Sequence, residues 1–272
     1  MKNVMIYINP RKDFDEECKV TIKIQIENSL DLGWERKDIL LVTNFPYKHS
    51  GITALEVSDE NYSPFFPPVS KINTIVDLFE KGLIEKGQLY WFHDIDVYQN
   101  VTITESELEL DDVDLGLCDK GRMPRWGTGS MFFKESSKDI FVHIKEVANR
   151  FKINEEPALM ALTTNNILWA TETRPEETIG NHIIPFNVVG TENINERVKK
   201  INISYNFAGW NIRSVYGIAV KPIKAVHFHP FNTDLYPGSC NVLDFFMYGK
   251  NKINTVLMSE SLINVFNKYG IK

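Results

Sequence analysis

KINTIVDLFEKGLIEKGQLYWFHDIDVYQ, residues 71–99, decides the fold. Apolar side chains at 72, 75, 76, 79 and 83 recur at helical spacing, so 71–87 is predicted to be a helix closed by glycine. QLYWFHDIDVYQ follows at once and is predicted to be a strand, apolar until it meets Asp94 and Asp96. Acids on alternate residues of a strand point to one face. Unpaired and buried there, they would cost several kcal/mol of desolvation. They are therefore expected to face a positive partner or to sit at an open strand end. Helix feeding strand implies an α/β layer with a mainly parallel sheet, and such sheets bind ligands at their strand ends.

The same alternation extends outward. VMIYINP (4–10) is a buried strand closed by Pro10, 15–32 a helix, DILLVTNFP (38–46) a second strand and ITALEV (52–57) a third. NYSPFFPPVS (61–70) carries three prolines and must be loop. Its aromatics are either a binding rim or a loop packed on the body. Residues 105–116 are acidic and expected at the surface, and GRMPRWGTGSMFFK (121–134) reads as a turn and then a strand. A helix over 138–151 leads through a break toward NEEPALMALTTNN (154–166), where Pro157 suits an early helical position. Short strands are expected at 166–170, 183–189 and 203–207, a late strand at 221–231 and a closing helix before Gly270.

The chain has 272 residues, 43% hydrophobic and 12% aromatic, enough for one well-filled domain. A formal charge of −6 argues against nucleic acid as the main partner. Cys18, Cys118 and Cys240 form neither a zinc spacing nor a disulfide framework, so a reducing setting is expected, and the lack of targeting signals makes it a cytoplasmic one. No apolar run approaches the roughly 18 residues of a membrane span, and no transmembrane segment or signal peptide is expected. Neither GxGxxG nor GxxxxGK[ST] occurs, which disfavours a dinucleotide enzyme or a P-loop ATPase.

Asp94 and Asp96 offer hard oxygen ligands suited to Mg²⁺ or Mn²⁺. An ion there would neutralise a phosphate leaving group, pointing to chemistry at a phosphate ester. His227 and His229 also alternate on the late strand. Each is either a Mn²⁺ ligand or an ordinary hydrogen-bonded histidine.

With FHDIDVY (92–98), GTGSMFF (127–133) and KAVHF (224–228) in view, the chain resembles metal-dependent glycosyltransferases of the GT-A fold. These use nucleotide-diphosphate sugars. The likeness is to glycogenin-like and galactosyltransferase members, over roughly residues 1–231. It implies that Asp94 contacts ribose or sugar and bridges to the metal, that Asp96 ligates the metal directly, and that His227 completes the site. Those members follow the histidine with a glycine and a Lys-Pro-Trp element. HFHPFNTD (227–234) stands here instead, so His229 becomes the candidate diphosphate contact.

The resemblance also puts the ends of the first two strands beside the nucleotide, making Asn9, Arg11, Thr43 and Asn44 donor candidates. Lys71 is either a ribose or phosphate contact or a solvated helix-end lysine. Glu155 and Glu156 open a helix, where acids often serve as dipole partners. The family keeps an acid there near the transferred sugar, in inverting members as the base. That implies a catalytic role for Glu156, ahead of Glu155.

Asp119 and Arg122 are candidates for sugar or acceptor hydroxyls. Gly129 would let backbone approach a sugar, and Trp126 would stack on an acceptor ring or fill the core. One GT-A-like domain is expected. Residues 1–100 form a nucleotide-binding half, 101–231 an acceptor and metal half, and 232–272 a C-terminal extension. The implied partners are a nucleotide-diphosphate sugar donor and a glycan or other hydroxyl acceptor. Rival readings are a nucleotidyltransferase, weakened by the lack of a glycine-rich loop in INPRKDF (8–14), and a non-catalytic sugar-binding protein.

Overall fold

A computed structural model describes residues 1–120, 123–160, 162, 176–179, 182–185, 194–208, 216–227 and 258–270. Strand β1 (Lys2–Tyr7) and helix α1 (Glu16–Asp31) open the chain, followed by β2 (Ile39–Thr43). Residues 52–57 do not make one strand. They divide into β4 (Ile52–Thr53) and β5 (Leu55–Glu56), and β4 turns back onto β3 (Lys48–His49). Helix α2 (Val69–Glu80) starts earlier and ends sooner than its apolar spacing suggested. Gly82 takes a left-handed φ of 66° just beyond it, and Leu83 is left exposed.

The strand expected over 88–99 is two strands. β6 (Tyr90–His93) and β7 (Val97–Gln99) are separated by a turn holding both acids. After α3 (Glu105–Leu108), β8 (Leu115–Lys120) and β9 (Met123–Phe133) form a hairpin. α4 (Lys138–Phe151) and α5 (Glu155–Met160) follow. Among the described residues, β10 (Glu176–Ile179) pairs with β11 (His182–Pro185) alone. β12 (Val198–Ile201), β13 (Phe207–Ala208) and β14 (Ala225–His227) complete the described strands, and a C-terminal helix spans Glu260–Lys268. The late strand is thus described only at 225–227, and the strand expected at 166–170 lies outside the described residues. The expected strand at 203–207 is a 3-10 turn, Ile203–Tyr205, leading into β13.

The central sheet has seven strands in the order β12-β8-β9-β6-β1-β2-β5. All run in one direction except β9, which is antiparallel to both its neighbours. A smaller sheet, β13-β14-β7, packs at its end. Ile72, Ile75, Val76 and Phe79 of α2 meet Ile140, Phe141 and Ile144 of α4 over one face of the large sheet. Helix α1 is buried on two sides. Ile22 and Ile26 pack on Met5 and Leu41, and Ile24 packs with Leu262 and Phe266 of the C-terminal helix. No described helix is long and apolar enough to cross a membrane.

Candidate active site

The chain changes sheets between β6 and β7, and it does so on the acids. The β6–β9 ladder reaches Asp94, whose N–H donates to Gly129 O at 2.9 Å, and stops there. Val97 N–H then donates to Asp94 O at 3.0 Å, closing a tight turn around Ile95 and Asp96. The acids converge through this turn and not through strand alternation. β14 runs antiparallel to β7 with His227 opposite Val97, next to the second acid. His227 Nε2 lies 3.3 Å from Asp96 Oδ2. One ligand atom each from Asp94, Asp96 and His227 falls within 4.8 Å of the others, and no other such cluster of His, Cys, Asp and Glu occurs among the described residues.

Two oxygens and an imidazole nitrogen at this spacing suit a hard to borderline divalent ion. The contact behind the imidazole fits as well. His227 Nδ1 lies 3.0 Å from Asn206 Oδ1, an acceptor, which holds a proton on Nδ1 and aims Nε2 at Asp96. Burial alone pulls the His227 pKa down, but Asp96, and then Asp94, outweigh it and hold it above its ordinary value.

Gly129 has a packing reason to be glycine. A Cβ there would stand 3.0 Å from both Cε1 and Nδ1 of His227 and 3.1 Å from Asn206 Oδ1. Gly129→Ala is therefore expected to push the imidazole off Asn206 and to weaken divalent-ion binding by about 10–100-fold. Calorimetric titration with Mn²⁺ checks this, and an unchanged affinity would show that the ring has room to move.

Lys71 is no solvated helix-end lysine. It is 7% exposed, and its ammonium lies 3.0 and 3.1 Å from the two oxygens of Asp94 and 3.1 Å from Glu155 Oε1. Burial alone would lower its pKa, but Asp94 and then Glu155 raise it, so it stays charged. Glu155 is 3% exposed and also accepts from Thr128 Oγ1 at 2.8 Å. Burial pushes the Glu155 pKa up, while Lys71 and then Thr128 bring it below its ordinary value. Its Oε2 is buried with no hydrogen-bond partner. Glu156, beside it, is half-buried.

Among the donor candidates, Asn44 Oδ1 accepts from Asn9 N–H and its Nδ2 donates to Asn9 O, both at 2.9 Å, tying the ends of β1 and β2 together. Arg11 is exposed, and its N–H donates to Asn9 Oδ1. Thr43 is wholly buried at the end of β2, and its hydroxyl donates to Phe45 O two residues on. Trp126 is buried in the main core, so its ring is not offered to a sugar from solvent; its Nε1 has no partner. Asp119 lies on β8 opposite Trp126. Arg122 and His229 lie outside the described residues.

Several positioning residues escaped the sequence reading. Gln25 Nε2 of α1 donates to Ile95 O at 2.9 Å and Val97 O at 2.7 Å, and Asn28 Nδ2 donates to Gln99 O at 2.7 Å, so α1 holds the acid turn by its backbone. His93 Nδ1 donates to Asp94 O at 3.0 Å, and burial lowers its pKa to about 4, leaving it neutral at pH 7. Its Nε2 stands 2.8 Å from Asn3 Oδ1. The available signal was Gln25, Asn28 and Ser29, a polar stripe at helical spacing among the isoleucines of α1.

One reversed strand in a parallel sheet, with an acid turn leading into a second small sheet, defines a GT-A fold. Solved glycosyltransferases share it. The galactosyltransferase LgtC in complex with donor and acceptor sugar analogues aligns at TM-score 0.53 and 15% identity, over 86% of this chain and 90% of that one. An active-site mutant of LgtC aligns at 0.54 and 14%, over the same shares. GlyE of Streptococcus pneumoniae TIGR4 aligns at 0.55 and 11% over 100% of this chain, which spans 65% of GlyE. At such identities the likeness is one of fold. No protein-family model and no curated protein sequence matches the chain.

Proposed function

We propose that this chain is a glycosyltransferase that moves a sugar from a nucleotide-diphosphate donor to a hydroxyl acceptor. The observation that carries the reading is the convergence of Asp94, Asp96 and His227 from two sheets of a GT-A frame. These three residues would hold Mn²⁺ or Mg²⁺, which when bound neutralises charge on a nucleoside-diphosphate leaving group.

Lys71 keeps a fixed positive charge on Asp94 and orients its carboxylate. Glu155 Oε2, buried without a partner, accepts a hydrogen bond from a donor-sugar hydroxyl. Glu156 is the base for an acceptor hydroxyl in an inverting reaction; Glu155 suits that task less because Lys71 and Thr128 already engage it. Asn9 and Arg11, at the end of β1, line the nucleotide side, with Asn44 shaping that edge. His229 and Arg122, outside the described residues, are assigned to diphosphate and to sugar or acceptor contacts by the sequence resemblance, and Asp119 and Gly129 to the sugar side. On this reading residues 1–100 serve the nucleotide and 101–231 the acceptor. The setting is cytoplasmic, and nucleic acid is not a partner.

The test needs no acceptor. The protein is titrated with UDP-, GDP-, dTDP- and CMP-sugars in Mn²⁺, in Mg²⁺ and in EDTA, and slow donor hydrolysis is followed. One donor is expected to bind and hydrolyse with metal and to do neither in EDTA. Binding without hydrolysis would mark a sugar-nucleotide receptor. A folded protein that binds no donor in either metal would end the proposal.

A further inference from the structure

The proline-rich loop before α2 carries an exposed apolar tip. Residues 64–68, PFFPP, are all exposed, with Phe65 at 58% and Phe66 at 39%. The remaining large hydrophobics exposed among the described residues, Leu83, Ile218 and Val220, are aliphatic and lie elsewhere in the chain. Aromatic rings left in water forgo burial that each could gain elsewhere.

The tip is held rigidly. Ser63 N–H donates to Ser70 Oγ at 2.8 Å, Val69 N–H to Phe66 O at 2.9 Å and Ser70 N–H to Pro67 O at 3.0 Å. Asn73 Nδ2 donates to Asn61 O at 3.2 Å, clamping the base of the loop to α2. The three prolines restrict φ further. Such a loop loses little entropy when something binds it.

Its position gives it a use. The loop runs into the first turn of α2, which delivers Lys71 to Asp94. Lys152 holds its ammonium 4.1 Å from the Phe65 ring centroid, in cation–π contact. Lys152 caps α4 in a left-handed conformation just before Glu155. Phe65 therefore bridges the two segments that supply Lys71 and Glu155.

We propose that Phe65 and Phe66 are the platform on which the acceptor sugar ring stacks. A pyranose offers an apolar face of C–H groups and a polar rim. That pattern matches an exposed aromatic tip beside an ammonium. The formal charge of −6 disfavours a lipid surface of negative charge. This inference takes over the role that sequence assigned to Trp126, which the fold buries. It rests on the glycosyl-transfer reading.

The test is saturation-transfer NMR on the full chain with UDP and diamagnetic Mg²⁺. Aromatic protons are irradiated in the presence of lactose, maltose, cellobiose or methyl β-galactoside. Signal is expected on the ring protons of at least one sugar. It should fall about tenfold in Phe65→Ser/Phe66→Ser, the change expected from losing aromatic burial. Leu83→Ser, an exposed apolar site elsewhere, should retain it.

No transfer to any sugar in the wild type, or transfer that survives the double substitution, overturns the proposal. So does loss, in the double variant, of binding to phosphatidylcholine vesicles while sugar contact persists, because the tip is then a lipid anchor. Donor hydrolysis run in parallel separates the failures. Hydrolysis without sugar contact sinks the platform alone, and absence of hydrolysis in any metal sinks the transfer reading.

Discussion

Replacing Asp96 by alanine is expected to lower metal-stimulated donor hydrolysis by about 10²–10³-fold, the scale of losing a group that stabilises developing charge. The loss should appear in kcat and in Mn²⁺ affinity together. Asp96 is the acid proposed to offer a ligand oxygen, and its Oδ2 lies 3.3 Å from His227 Nε2. The fold should survive, because Asp96 sits in a turn whose backbone is held by Gln25. Circular dichroism and the midpoint of urea unfolding check that.

The same site sets a pH dependence. The His227 pKa is raised, so the imidazole keeps its proton to a higher pH than a free one. The stability it contributes as a cation is full below the unfolded value and is lost as pH rises through the folded one. Metal binding runs the opposite way. It must displace that proton, so Mn²⁺ affinity is expected to rise with pH across the titration, with proton release on binding. An Asp96→Ala variant that keeps wild-type hydrolysis and affinity would remove Asp96 from the metal site.

Lys71→Met is expected to destabilise the protein by about 3–5 kcal/mol at pH 7, the usual consequence of leaving buried charge without its partner. Methionine keeps an apolar stem beside Phe92, whose ring centroid lies 5.5 Å from the ammonium, so the loss reports charge more than packing. Asp94 and Glu155 both face the removed ammonium. In the wild type, the lowered pKa of Glu155 means its stabilising contribution is present at neutral pH and is lost as pH falls through the folded value. In the variant, burial outweighs the remaining Thr128 and His227 contacts, raising the pKa of Glu155 and lifting the already raised value of Asp94 further. Protonation then relieves the strain, and the stability gap between the two proteins should narrow from pH 7 to pH 5. Adding Glu155→Gln should recover part of the loss, a coupling that a double-mutant cycle measures. Chemical denaturation at both pH values is the check. A gap that is constant or widens on acidification would show that the three groups are not one electrostatic unit.

How much was legible in the chain divides along a physical line. Periodicity is local, and it identified α1, α2, α4 and the strands β1, β2, β6 and β9, while β8 and β12 of the same sheet went unread. The acids at the end of YWFH were legible because charge after a buried apolar run is costly wherever it is not used. His227 came from a resemblance over a few residues and needed no contact map. The turn that breaks 88–99 was not legible, because strand propensity continues through DIDVYQ and only the second sheet diverts it.

The sequence by itself therefore determined an α/β chain whose sheet ends in paired acids, because local spacing and desolvation cost dictate both. Tertiary structure alone decided what meets those acids. β-sheet register set His227 opposite Val97, the packing of α2 against α4 and α5 brought Lys71 to Glu155, and the polar stripe of α1 closed on the acid turn. It also decided that Trp126 is core and that Phe65 is rim, two aromatics with opposite surroundings. Such pairings join residues distant in sequence, and hydrogen-bond geometry across a sheet has no signature along a single strand.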